Sequence, residues 1–500
     1  MAEPISETEK SRPDNLAQGA RGGAIAFILK ISSTVLGFLN QVILARILGA
    51  GGLGEVILAI TVVRISIQIA KFGMEETMTK FIPLYIDRKD DAKLKGTILF
   101  AIKFCLLFSV IFMLFVLMFS KFIALNIFHS EGLLKLMPVV IIAIPAWVIR
   151  DIIGGILRGH KDAFRALIPE SLIAPFFKIV VFLLLTLKGI APFYAIIAFV
   201  TGEILSVIVS FSYLQKILRP LKAVRGQCDK KKIMEVAYTI IFTGMSVLLY
   251  TQADVWILGM FKPTEIVGIY GIATKLVLLV YFPMMAFAAV IPSLISSIHA
   301  SGDLTELKKV VSESTRWIMS MAMPIILILL IEGKYILKYF YGPEFEAGYT
   351  VLVILTLGQM IKAGAGLIGV ILQMTGEHKV YMKVNIVLGI LNIILNILLV
   401  PRYGMTGAAA ATSFCLVMVD LICIYIIHKR LSILTLAKGI KFDIVFITVI
   451  TAVYFLFSYF EIQIGHHLLL LVALTVYLWK SMSNNDIPWK LLMGSINKGR

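Results

Sequence analysis

Fourteen apolar runs, each long enough to cross a bilayer, succeed one another along this 500-residue chain, and the lysines and arginines between them fall in alternate loops. A hydrocarbon core about 30 Å thick is crossed by about 20 apolar residues rising 1.5 Å each. The runs lie near 22–46, 53–80, 96–119, 133–156, 166–187, 191–214, 233–258, 266–298, 317–331, 347–373, 381–400, 405–427, 442–459 and 464–479. The ninth is short unless its flanks join it. Sorting the connecting segments by parity puts about 29 Lys/Arg in one set and about 8 in the other, with about 10 inside the runs. Positive charge is retained on the cytoplasmic side, so both termini are expected there. The expectation is an all-α, polytopic, multi-pass protein of the plasma or inner membrane.

Composition narrows the function. With 59% hydrophobic and 15% charged residues the chain is no ordinary soluble domain. A net charge of +17 would suit nucleic acid, but the basic residues sit in short loops, and Lys216, Arg219, Lys222, Arg225, Lys230, Lys231 and Lys232 crowd one of them. Membrane orientation and contact with anionic lipids explain that placement. The polar, charged first twenty residues and the long run after them do not read as a secretory signal. Cys105, Cys228, Cys415 and Cys423 are scattered without metal or disulfide spacing. Every loop is shorter than about 20 residues, too short to fold alone. There is no phosphate-binding glycine loop, no HExxH and no nucleophile–His–acid set; the histidines, from His129 to His467, fall mostly at run ends. No enzyme, cofactor or metal site is expected.

An internal repeat gives the architecture. Leu44–Thr61 and Trp256–Thr274 both end a run in Leu-Gly and open the next with Gly after a short turn. Leu157-Arg158-Gly159-His160-Lys161 and Met374-Thr375-Gly376-Glu377-His378-Lys379 close the fourth and tenth runs at nearly the same offset. Two matches in order predict a six-plus-six duplication. Six is even, so the copies enter the membrane in the same direction. The expected plan is a cytoplasmic N-tail (1–20), a six-helix lobe (21–215), a basic linker (216–232), a second six-helix lobe (233–430), two further transmembrane helices (431–480) and a cytoplasmic C-tail (481–500). Such parallel lobes can enclose a cavity and rock about it.

Several segments resemble a known family: Leu44-Ala45-Arg46-Ile47-Leu48-Gly49 after the first run, Tyr341-Gly342-Pro343-Glu344-Phe345 before the tenth, and Pro401-Arg402-Tyr403-Gly404-Met405-Thr406-Gly407-Ala408-Ala409 between the eleventh and twelfth. With the fourteen-run plan they resemble the polysaccharide transporter family, which includes O-antigen flippases, within the multidrug/oligosaccharidyl-lipid/polysaccharide exporter superfamily. The resemblance covers about residues 20–430. It implies a MATE-like fold with 14 transmembrane helices and a polyprenyl-diphosphate-linked oligosaccharide as cargo. The drug antiporters of that superfamily often carry an acidic residue in the first span; here that span offers Lys30, Asn40 and Gln41 instead.

An ionised side chain inside a span costs about 2.5–3.5 kcal/mol on insertion scales, so each needs a reason. Arg64 and Lys275 lie about 16 and 14 Å into the second and eighth runs, near-equivalent places in the repeat. If both face the cavity, they clamp a diphosphate, the arginine bidentately and the lysine as a point charge. Lys178, Lys362 and Lys30 are further cationic candidates. Arg46 and Arg150 read chiefly as interface anchors, and Arg46 gains from standing in the family-like turn. Lys71, Lys80, Glu75 and Glu76 read as a solvated cytoplasmic cluster. Asp254, Glu203 and Asp420 are the deep acids: each either binds a coupling H⁺ or Na⁺ or neutralises a nearby lysine, and pairing is the simpler role. Trp147, Trp256, Trp317, Tyr194, Tyr270 and Tyr281 suit sugar stacking and an interfacial aromatic belt equally.

The favoured expectation is a flippase, acting as a monomer by alternating access and driven without ATP. One rival is a cation-coupled multidrug antiporter, whose cargo a Lys/Arg-lined cavity would repel. Another is a non-transporting enzyme or scaffold acting on polyprenyl lipids, disfavoured by the missing polar loop.

Overall fold

The computed structural model describes residues 7–288, 291–431 and 463–483, with short pieces at 445–446, 449–450 and 452–454. Most of the expected thirteenth span, 442–459, falls outside the described residues, as does nearly all of the C-tail.

Among the described residues the fold is all-helical. In chain order the helices are α1 (Glu7–Lys71), α2 (Met74–Asp87), α3 (Asp91–Met118), α4 (Glu131–Val140), α5 (Ala143–Gly159), α6 (Ala163–Ile168), α7 (Ala174–Thr186), α8 (Pro192–Leu218) and α9 (Lys230–Phe261). There follow α10 (Thr264–Val277), α11 (Phe282–Phe287), α12 (Ile291–Ser301), α13 (Leu304–Ile331), α14 (Gly333–Ile336), α15 (Tyr349–Ala365), α16 (Ile368–Met374), α17 (His378–Leu431) and α18 (Gln463–Ser483). Among the described residues eight helices are long and apolar enough to cross a membrane, or nine if α4 and α5, bent by 49°, make one span.

The sequence signals for breaks have physical counterparts. The first two runs meet at Gly49 (φ 68°) and the eleventh and twelfth at Gly404 (φ 57°), in a left-handed conformation that glycine adopts without a Cβ penalty. The fourth run bends between Pro138 and Pro145, where proline removes donors from the helical ladder. The eighth run, which carries Pro283 and Pro292, is likewise divided: α10 passes through a 3₁₀ turn (Leu278–Tyr281) into α11, with α12 beyond. The short ninth run gains its flanks and becomes the 28 residues of α13. Both members of the second repeat pair close a helix with a left-handed residue, Lys161 (φ 61°) and Gly376 (φ 85°).

Large apolar side chains lie outside as well as inside. On α3, Leu107, Ile111, Leu114 and Met118 recur at helical spacing and are all exposed, as are Ile390, Ile394, Ile397 and Leu398 on α17. Such stripes would be untenable in water and are the normal surface in hydrocarbon. Polar ends are closed by caps: Asp90 accepts from the Lys93 amide, Ser130 from Leu133, Asp162 from Arg165, and Asp303 from Thr305 and Glu306. The chain is a multi-pass membrane protein.

It divides into two compact units, Met1–Leu248 and Leu249–Arg500. The division falls inside α9 rather than in the basic segment 216–232. The reason is local. Lys95 Nζ donates to the Lys222 and Val224 carbonyls, both at 2.8 Å, and the Gln227 amide donates to Ala92 O at 2.8 Å, so the segment is clasped to the start of α3. In the first unit, small residues let helices touch. A Cβ on Gly155 of α5 would stand 2.3 Å from the Glu75 carbonyl of α2, and one on Gly202 of α8 would stand 2.7 Å from the Lys178 side chain of α7.

Candidate functional site

In the first unit, seven charged side chains from five helices join in one continuous chain of ion pairs. Lys178 Nζ meets Glu203 Oε1 at 2.6 Å, and Arg150 pairs with the other oxygen of Glu203. Arg150 also reaches Asp151 Oδ1 at 2.8 Å; Asp151 Oδ2 meets Lys71 Nζ at 3.0 Å, and Lys71 meets Glu75 Oε2 at 2.7 Å. Arg158 closes the series on Glu75 Oε1. Side-chain exposure is 17% at Lys178, falls to 1% at Glu203 and from there rises to 31% at Arg158. The series therefore has a sealed end and an open one.

The sealed end rests on an aromatic seat. Arg150, Lys178 and Arg64 lie 5.2, 5.9 and 6.0 Å from the Trp147 ring centroid, and Lys178 lies 4.2 Å from that of Phe199. Trp147 and Phe199 in turn pack at 5.7 Å. An aromatic face attracts a desolvated cation, so the rings hold these groups where carboxylates are few. Gly202 makes room for the Lys178 stem to cross α8 toward Glu203. Arg64 is within electrostatic reach of Glu203, and its buried Nε has no hydrogen-bond partner. Five basic groups (Arg64, Lys71, Arg150, Arg158, Lys178) face three acidic ones (Glu75, Asp151, Glu203), with the exposed Glu170 also in reach of Arg150. Buried ions need partners, and this surplus can be met by an anion with several acceptor oxygens.

The second unit has a different chemistry. Asp254, on α9, is buried; it accepts from Tyr270 Oη at 2.6 Å, from the Val255 amide at 2.8 Å and distantly from Thr412 Oγ1 at 3.5 Å. Asn392 donates to the same Thr412 at 3.5 Å, and Asn396 donates to Asn392 Oδ1 at 3.2 Å. Among the described residues no lysine or arginine pairs with Asp254. Asp420 is also buried. Its Oδ2 has no hydrogen-bond partner, and Lys362, which lies 5.5 Å from the Tyr281 ring, is its electrostatic neighbour. Among the described residues no group of three His, Cys, Asp or Glu is placed to hold a metal ion.

The sequence-stated candidates thus separate. Arg64, Lys178 and Glu203 come together, and Glu203 takes the pairing role. Lys362 stands near Asp420 in the second unit. Lys30, Arg46 and Lys275 are exposed positions. Two expectations are corrected. Arg150 is no interface anchor but a 6%-exposed hub between two carboxylates. Lys71 and Glu75 are not a solvated pair: the helix breaks at Phe72–Gly73 and turns them onto α5. Asp151 was missed altogether, although Trp147, Asp151 and Arg158, spaced four and seven residues apart, fall along one face of α5.

A helical, multi-pass membrane protein with a buried, cation-rich cluster is the class these features define, and comparison with known proteins gives the family. The model described as "polysaccharide biosynthesis protein" matches residues 20–299, and a second, MatE, matches residues 239–398. The chain belongs to the polysaccharide biosynthesis protein family. A probable low-salt glycan biosynthesis flippase of Haloferax volcanii is 27% identical over 33% of this chain and 35% of its own length. A second probable flippase of that organism is matched over 39% of its length, so the chain spans well under half of these first relatives. A putative O-antigen transporter of Shigella flexneri is 25% identical over 78% of this chain and 92% of its own. Among solved structures, the lipid II flippase MurJ in an inward closed conformation superposes with a TM-score of 0.72 at 19% identity, covering 93% of this chain and 99% of that one. An inward-facing multidrug resistance MATE transporter gives 0.68 at 14% identity, covering 81% and 98%. These relatives are named as flippases and transporters.

Proposed function

We propose that this chain is a flippase that moves a polyprenyl-diphosphate-linked oligosaccharide from the cytoplasmic to the outer leaflet of the cell membrane for cell-surface polysaccharide synthesis. The flippase and O-antigen transporter names of the relatives support the cargo class. The observation that carries the reading is the surplus of basic groups, buried at Arg150 and half-buried at the others, in the first unit, which suits a diphosphate carrying at least two negative charges. The polyprenyl tail stays in lipid while the headgroup meets Arg158, Lys71, Arg150 and Lys178 in turn, with Arg64 beside them. Lys362, Lys275, Lys30 and Arg46 are secondary candidates for contact with the cargo.

The reading includes 14 transmembrane helices, as parallel lobes at 21–215 and 233–430 plus two further helices, with both termini cytoplasmic and the monomer as the working unit. Alternating access between the lobes carries the headgroup across. An inside-negative potential favours exit of the anionic cargo by about 2.3 kcal/mol per charge per 100 mV. Asp254, ringed by hydroxyl and amide donors, is the first candidate for a coupling H⁺ or Na⁺, and Asp420 the second. Glu203 serves the cations instead. Basic loops contact anionic lipids.

Deleting the gene tests the reading. Lipid-linked oligosaccharide should accumulate on the cytoplasmic face, and the intact chain, but not Arg150→Gln, should relieve it. Normal outward delivery in the deletion strain sinks the proposal.

A further inference from the structure

Glu203 is the most enclosed member of the ion-pair series, and it occupies two cations at once: Lys178 at 2.6 Å on one oxygen and Arg150 on the other. While it does so, the sealed end offers no site to an incoming anion. Yet the groups it holds do not depend on it alone. Arg150 keeps Asp151 at 2.8 Å, Lys178 keeps the Phe199 ring at 4.2 Å, and both keep Trp147. The cations are thus seated whether or not the carboxylate is there.

We propose that Glu203 is a built-in stand-in for the cargo's diphosphate: it fills the anion position of the empty carrier, is displaced when the diphosphate reaches Arg150 and Lys178, and returns to expel it. The inference rests on the anion-binding reading above and adds its regulation. A diphosphate brings more acceptor oxygens and more charge than one carboxylate, so it wins when present. A carrier must also let go. A ligand shifts an equilibrium only by its differential affinity for the two states, and a competing carboxylate on the neighbouring helix lowers that difference to a reversible value. The gradient of exposure gives the order of exchange. Cargo first meets Arg158 at the open end, where Glu75 is the carboxylate it displaces, and reaches Glu203 last. Along α5, Trp147 to Arg158 spans about 16 Å, roughly half the hydrocarbon thickness.

The test uses the full-length protein in detergent, with inorganic pyrophosphate as the probe, read by calorimetric titration beside thermal melting. Glu203→Gln keeps the shape and one acceptor oxygen but removes the competing charge. It should bind pyrophosphate on the order of tenfold more tightly than the parent chain and release lipid-linked cargo more slowly. A merely structural Glu203 would give weaker binding. Unchanged or weaker binding by a variant that melts normally overturns the inference and leaves the anion site standing. If Glu203→Gln does not accumulate folded, Glu203→Gln with Lys178→Gln is compared with Lys178→Gln alone. Tighter binding by the double variant supports the inference, and equal or weaker binding overturns it. Absence of pyrophosphate binding in the parent chain and every variant overturns the anion-site reading itself, and this inference with it.

Discussion

The two units treat buried carboxylates in opposite ways. In the first, Glu75, Asp151 and Glu203 each hold two cations, and the series ends in basic surplus. In the second, Asp254 is held by Tyr270, Val255 and Thr412, and Asp420 has one oxygen without a partner. Each carboxylate of the series in the first unit is held between a guanidinium and an ammonium group. A buried one supplied only with hydroxyl and amide donors still lacks a countercharge. The same side-chain chemistry is thus given two different surroundings, and the two units do not repeat one another's buried charges.

The contrast can be broken most directly at Arg150. Arg150→Ala strands Glu203 and Asp151 and should cost about 3–5 kcal/mol, as expected for one partner removed from a buried pair, read as a large fall in melting temperature. A loss below about 1 kcal/mol would show that the series is not desolvated. Next comes Gly155→Ala, whose Cβ would stand 2.3 Å from the Glu75 carbonyl. Parting α5 from α2 should cost about 1–3 kcal/mol and weaken pyrophosphate binding. Unchanged binding would remove the Glu75–Arg158 end from the site. Tyr270→Phe deletes the 2.6 Å donor to Asp254 and should destabilise by about 1.5 kcal/mol, with a change in the pH or Na⁺ dependence of transport. If that dependence stays fixed, Asp254 is structural. The smallest stability effect belongs to Asp254→Asn, which keeps an acceptor for Tyr270 and should stay within about 1 kcal/mol of the parent, while making transport indifferent to the coupling ion. A cost as large as that of Arg150→Ala would mean that the two units are built alike.

Much of the fold was legible because it rests on length and hydrophobicity. The apolar runs and the glycine turns at Gly49 and Gly404 could be read along the chain. The partners could not. Arg150 reads as near a run end, and only the 49° bend between α4 and α5 and the approach of α8 enclose it. Asp151, next to it in sequence, gives no sign that it faces Lys71, eighty residues earlier. Ion pairing between helices depends on which faces meet, and a linear pattern records each face without its partner. The one unread clue was the stripe Trp147, Asp151 and Arg158 on α5.

Phe72 adopts φ 50°, a conformation bulky residues avoid, with Gly73 beside it at φ 69°. Phe104, Phe108 and Tyr238 wedge the aromatic ring within 6.1 Å, so this elbow between α1 and α2 is gripped from the side. Lys71 lies just before it and Glu75 just after. Any flexing there lengthens or shortens their 2.7 Å pair, so posture and charge at this joint form a single mechanical coordinate.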